Sequence, residues 1–239
     1  MQYCGLSNKG KVRGNNEDFF YVPEKDGIQV FVVADGMGGE NAGEIASALA
    51  VSGIVVYIEE NFDEKDRALL LRKALLNANK AVLDTARSDK QYDSMGTTAV
   101  CALPEKDRVY IANVGDSRCY LFSKSGCEQI SVDHSYVQEM VDKGMLTPEE
   151  AKKHPNKNLI TRAIGVDRFI NVDVFVHTWE KGDRLLLASD GLTGMVEDEV
   201  LTRIITNAES AKQGVEALIK AANDAGGKDN ITSVLIIND

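Results

Sequence analysis

Four aspartates stand where apolar, strand-like runs meet turn residues. They are Asp35 in Ala34-Asp35-Gly36-Met37-Gly38-Gly39, Asp116 in Asn113-Val114-Gly115-Asp116-Ser117-Arg118, Asp190 in Ser189-Asp190-Gly191, and Asp229 in Gly226-Gly227-Lys228-Asp229-Asn230. A strand that ends in Asp delivers a carboxylate to the edge of a sheet, and the neighbouring glycines let backbone approach a ligand closely. Taken singly, each Asp-Gly is equally well explained as a hairpin turn. Together they offer hard oxygen donors from distant parts of the chain, the kind of set that Mg²⁺ or Mn²⁺ requires. Such a cluster would repel itself without a cation, which would push some carboxylate pKa values upward.

Near the N-terminus, Arg13 precedes Glu17 and Asp18 by four and five positions. This run reads either as a solvated charged turn or as a guanidinium fork for a phosphate beside metal-site carboxylates. Other chemistries do not match. No Asp-x-Asp-x-Asp-Gly run closes a calcium loop. Gly38 and Gly43 have the glycine spacing of a phosphate loop, but Glu44 stands where its lysine belongs. Cys4, Cys101, Cys119 and Cys127 form no Cys-x-x-Cys pair, and none has Arg six positions later; reduced, buried thiols are expected.

The elements that must position these residues are legible as patterns. Strands are expected at Phe19 to Val22, Ile28 to Ala34, Thr97 to Leu103, Arg108 to Val114, Arg118 to Phe122, Val172 to His177, Arg184 to Ala188 and Ile231 to Ile237. Two consecutive helices are expected at about 42 to 60 and 66 to 87, the second with Leu71, Leu75, Ala78, Val82 and Thr85 on one face. Shorter helices begin at Thr147-Pro148-Glu149-Glu150 and at Ser210, whose capping partner would be Gln213. Strands cluster and helices come in pairs, which predicts an α+β fold of packed sheets with helices outside. Residues 136 to 171 read as an irregular surface excursion. The 239 residues, with net charge −10, suit one globular domain and disfavour a nucleic-acid partner. No apolar run of about 18 residues is expected to span a bilayer. The N-terminus lacks the pattern of a signal peptide, so a cytoplasmic location is expected.

Read in order, Arg13-x-x-Asn16-Glu17-Asp18, Asp35-Gly36-Met37-Gly38-Gly39, Met95-Gly96-Thr97-Thr98, Asn113 to Arg118, Asp133-His134-Ser135, Arg162-Ala163-Ile164-Gly165, Ser189-Asp190-Gly191 and Asp229-Asn230 resemble the metal-dependent Ser/Thr protein phosphatases, the type 2C or PPM family, in its minimal bacterial form. The likeness runs from about residue 3 to 237. It implies a single catalytic domain over 1–239, built as a central antiparallel β-sandwich flanked by pairs of helices, with a flap at about 136–171. It implies two Mn²⁺ or Mg²⁺ ions that activate a bridging water for in-line attack on phosphorus. Asp35 would bridge both ions and Gly36 would lend its carbonyl, Asp190 and Asp229 would complete the first ion, and Glu17 and Asp18 would serve the second, largely through water. Asp116 with Asp190 would hold a weaker third ion, and Arg13 would bind the phosphate.

The substrates implied are proteins phosphorylated by a Ser/Thr kinase, acted on by a monomer with no membrane partner. Where the family commonly has a His after one of the two Gly pairs, this chain has Met37 and Glu40. The leaving-group proton is therefore expected from Glu40 or a metal-bound water, and His134 is expected to order a loop. Two other readings on the same scaffold are a non-catalytic phosphoprotein-binding relative and a small-molecule phosphatase.

Overall fold

The computed structural model describes residues 1–24, 27–38 and 42–239. In chain order, β1 (Gln2–Asn8), β2 (Asp18–Tyr21) and β3 (Phe31–Met37) lead into two long helices, α1 (Ala42–Glu60) and α2 (Arg67–Ser88). A run of strands follows: β4 (Gly96–Thr97), β5 (Ala99–Glu105), β6 (Arg108–Val114), β7 (Arg118–Ser123) and β8 (Gly126–Gln129). Short helices α3 (Tyr136–Asp142) and α4 (Pro148–Lys153) precede β9 (Asp173–Thr178) and β10 (Arg184–Ala188). The chain closes with α5 (Asp190–Thr193), α6 (Asp198–Asn207), α7 (Ala211–Asp224) and β11 (Ile231–Ile237).

The strands form two sheets, ordered β1-β11-β10-β7-β8 and β2-β3-β5-β6-β9, with β4 on the end of β3. Every pairing is antiparallel. Strand side chains alternate between two faces, and here both faces are buried. Phe31, Val33, Val100 and Ile111 meet Leu185, Leu187, Val234 and Ile236 between the sheets. Their neighbours Val32, Ala34, Cys101 and Ala112 turn outward onto α1 and α2. On the opposite side, Leu186, Ala188, Leu235 and Ile237 pack against Leu201 and Ile205 of α6 and Val215 and Leu218 of α7. Helix, sheet, sheet, helix is thus the layer order anticipated from the grouping of strands and helices.

Several elements depart from the expected pattern. Strand β3 begins at Phe31 and runs through to Met37, so Asp35 lies inside the strand, opposite Asp18, not beyond its end. Strand β1 has a mixed sequence because it forms a sheet edge, and the exposed β8 forms the opposite edge. The irregular stretch contains α3, which Ser135 caps by accepting from the Gln138 amide. Ser210 caps α7 as expected, while the Gln213 side chain accepts from Glu209. Cys127 is exposed and Cys4 half-buried, against the expectation of four buried thiols.

Helix α1 is apolar and long enough, by length and composition, to cross a bilayer, which corrects the expectation that no such run exists. Ala46, Ala50, Ile54 and Ile58 of this helix are fully buried in the cluster against α2 and the sheet, the placement of a core helix. Ile111 sits at the middle of the inter-sheet layer with no exposure. Ile111→Ala is expected to cost about 2–5 kcal/mol, read as a lowered urea midpoint with an unchanged slope.

Candidate metal centre

The antiparallel pairings bring the ends of β3, β6 and β10 and the start of β11 to one edge of the sandwich. Around that edge lies a cavity of about 310 Å³ whose walls include Arg13, Glu17, Asp35, Gly36, Asp116, Asp190 and Asp229. Seven of the eight site residues expected from the sequence therefore share one space. The eighth, Asp18, is absent from the wall: it is 5% exposed, and its Oδ2 accepts from the Ser189 hydroxyl at 2.7 Å.

Backbone and side-chain bonds fix each acid. Asp35 is held by Thr98, whose Oγ1 accepts from the Asp35 amide at 3.0 Å and whose own amide donates to the Asp35 carbonyl at 2.9 Å. Thr97 Oγ1 donates to the same carbonyl at 2.8 Å. Glu17 is set by Asn230, whose Oδ1 accepts from the Glu17 amide at 2.9 Å while its Nδ2 donates to the carbonyls of Lys9 and Asn15. Ser47 in α1 donates to the Glu17 carbonyl at 2.6 Å. Asp190 opens α5 directly after β10, where Ser189 spans the strands: its amide donates to Thr232 O and its Oγ accepts from the Thr232 amide. Gly36 admits no side chain, since a Cβ there would lie 2.1 Å from the Gly43 carbonyl and 2.5 Å from that of Glu17.

Arg13 Nη2 donates to Asp229 Oδ2 at 2.8 Å. The guanidinium stays half-exposed, with further donors free to meet an anion.

Burial dominates the electrostatics. It pushes Asp18 and Asp116 up to about 7, assisted at Asp116 by the charge of Asp190 and opposed at Asp18 by the nearby hydroxyls of Thr232 and Ser189. Asp35 is raised well above the ordinary carboxylate range by burial and then by Asp18 and Asp190. Burial and the Asp229 charge raise Asp190, and burial raises Glu17.

Two observations fit a hard divalent cation. The donors are all oxygen, and Asp18 Oδ1 is buried without a hydrogen-bond partner among the described residues. Among the described residues no three such side chains already close on a single point, so the acids line a shared space instead of a tight cage.

Sequence reasoning missed Thr98, Ser189 and Asn230 as anchors, although each lies in a motif it singled out. It also missed Asn158 and Ile160, flap residues on the cavity wall that carry no pattern of their own. Met37 and Gly38 line the wall too, whereas Glu40 and Gly39 lie outside the described residues.

A carboxyl group whose folded pKa is raised stabilises the fold below its unfolded value, near 3.8, and that contribution is lost as pH rises through the folded value, here about 7. With divalent cations chelated, the urea midpoint is expected to fall between about pH 5 and pH 8, and excess Mn²⁺ should remove the fall. A midpoint that is flat with pH in chelator contradicts the repulsion.

The protein phosphatase 2C family model matches residues 10–235. The serine/threonine phosphatase stp of Listeria welshimeri is 39% identical over 234 residues, covering 96% of this chain and 93% of that protein. The structure of the serine/threonine phosphatase Stp1 of Staphylococcus aureus superposes with a TM-score of 0.93 at 37% identity, over 100% of this chain and 96% of the other. The catalytic domain of the phosphatase PstP, solved in complex with two manganese ions, has a TM-score of 0.87 at 34% identity, over 98% of this chain and 96% of that one.

Proposed function

Since the chain belongs to the protein phosphatase 2C family, we propose that its acidic cavity hydrolyses phosphoserine and phosphothreonine esters of proteins. The observation that carries this reading is the convergence of Asp35, Asp116, Asp190 and Asp229, from four separate stretches of the chain, on one space shared with Arg13. Two divalent cations, manganese as in the PstP complex or magnesium, supply the charge that makes water a nucleophile near neutral pH.

In this reading Asp35 would serve both ions and Gly36 would lend its carbonyl, Asp190 and Asp229 would complete the first, and Glu17 and the buried Asp18 would serve the second through water. Asp116 with Asp190 would hold a weaker third. Asp229 orients Arg13 through Nη2, so the remaining N–H groups of the guanidinium point their charge at phosphoryl oxygens. Thr98 and Asn230 keep Asp35 and Glu17 from relaxing away from their like-charged neighbours.

The whole chain, 1–239, acts as one catalytic domain with residues 136–171 as its flap. The Ser135–Ile160 bridge ties the two limbs of that flap together at its root, beside the cavity. The substrates are products of a Ser/Thr kinase, and the enzyme works as a cytoplasmic monomer. Met37 lines the cavity with no proton to give, which leaves Glu40 or water to protonate the serine alkoxide.

Hydrolysis of a phosphothreonine peptide is expected with Mn²⁺ and should fall by about 100-fold or more in chelator or in Asp190→Asn. Activity indifferent to both refutes the metal-dependent reading, and an inactive protein that binds the phosphopeptide tightly would be a recognition module. Glu40→Gln separates the proton donors: an unchanged turnover and pH profile excludes Glu40.

A further inference from the structure

A second polar network lies behind the cavity, where residues 131–135 leave β8 and enter the flap. Two consecutive side chains there reach the same turn, Gly115-Asp116-Ser117-Arg118, from opposite ends. Asp133 takes the Arg118 guanidinium in a fork, with Nε to Oδ1 at 2.9 Å and Nη2 to Oδ2 at 2.6 Å. His134 accepts the Gly115 amide on Nδ1 at 3.0 Å, while its own amide donates to the Gly115 carbonyl, also at 3.0 Å. Gly115 has φ +107°, and a Cβ there would lie 2.5 Å from Thr98 Cγ2, so the turn has one shape and needs to be held in it. Holding is required because Asp116, on the cavity wall, is opposed by the charge of Asp190.

The other edge of the imidazole faces the return limb of the flap. His134 Nε2 lies 3.1 Å from Asp173 Oδ2 and 2.8 Å from Arg162 Nη1. The Thr161 amide donates to the His134 carbonyl at 2.8 Å. A ring nitrogen that accepts a backbone N–H carries no proton, so the proton of the neutral ring sits on Nε2 and is donated to Asp173. Arg162 cannot accept the Nε2 hydrogen, since a guanidinium only donates; its Nη1 donates to Asp173 Oδ1 at 3.0 Å and to the Asn171 carbonyl at 3.1 Å. Burial lowers the His134 pKa, in keeping with a neutral ring.

We propose that Asp133-His134 is a positioning pair, which clamps the turn carrying Asp116 from both ends and joins it, through the His134 ring, to Asp173 and Arg162 at the root of the flap. His134 then touches neither substrate nor ion; it acts by fixing where the Asp116 carboxylate stands. The two ring nitrogens have separate tasks, Nδ1 for the turn and Nε2 for the flap, and this separation makes the assignment testable.

An Asn side chain presents an acceptor near the place of Nδ1, and a Gln side chain reaches the place of Nε2. His134→Asn is therefore expected to keep phosphopeptide kcat/KM within about threefold of wild type, whereas His134→Gln and His134→Phe should lose about tenfold or more. Slow exchange of the Gly115 amide should survive in the Asn variant alone. A merely structural histidine would lower all three variants alike. The kcat/KM comparison rests on the phosphatase reading, but the wild-type ring does not: ¹⁵N chemical shifts of the His134 imidazole should show Nδ1 unprotonated and Nε2 protonated. A proton on Nδ1, or a Gln variant equal to or better than the Asn variant in activity and Gly115 protection, overturns the proposal. If wild type shows no turnover while the ring shows the expected tautomer, the function fails and the clamp stands.

Discussion

Repulsion among buried carboxylates is the constraint that the rest of the molecule answers to. Asp18, Asp35, Asp116 and Asp190 are each driven toward the neutral form by burial, and their mutual charges raise the cost further. Acids in that position would move apart if their backbones allowed it. They are held by the most rigid parts available: the interior of β3, the first turn of α5 fastened across to β11, and turns whose glycines leave no room to shift. The site is therefore destabilising by itself and persists because two sheets and two helix layers define its edge, a common arrangement where a fold stores strain for chemistry.

The supports are neutral side chains one layer out. Thr98 bonds the Asp35 amide and shares a hydrogen bond with Ser117, so one hydroxyl links the strand bearing Asp35 to the turn bearing Asp116. Ser189 joins Asp18 to Thr232, and Asn230 joins Glu17 to the backbone of residues 9 and 15. Each bonds two or three elements at once. An acid anchored this way keeps its direction whether or not it is charged.

Much of this was legible before any coordinates. Asp35 and Asp190 stand out because a run of apolar residues that stops at Asp-Gly signals both a strand and a turn, and Asp229 because Asp-Asn stands directly before an apolar run; Arg108 to Val114, Arg184 to Ala188 and Ile231 to Ile237 have the bounds that pattern assigns. The layer order followed from the same runs. What escaped was set by tertiary context. The sequence of β1, Gln2-Tyr3-Cys4-Gly5-Leu6-Ser7-Asn8, lacks alternation, and at this sheet edge none of its residues is fully buried. The depth of Asp18 depends on Ser189, a residue far along the chain, and Asn158 and Ile160 reach the cavity only because the limbs of the flap meet at its root. Helix α1 shows the converse: composition alone would send it into a bilayer, and only its neighbours reveal a core helix.

Strand β11 occupies an interior place in its sheet, between β1 and β10, although it is the final element of the chain. During synthesis the sandwich accordingly waits with a gap between two finished strands, and Asp229 and Asn230 arrive just ahead of the segment that fills it. Glu17 receives its anchor, and Arg13 its carboxylate, from residues made more than two hundred positions later. The anchors of the acidic edge are thus complete only once β11 has taken its place between its two neighbours.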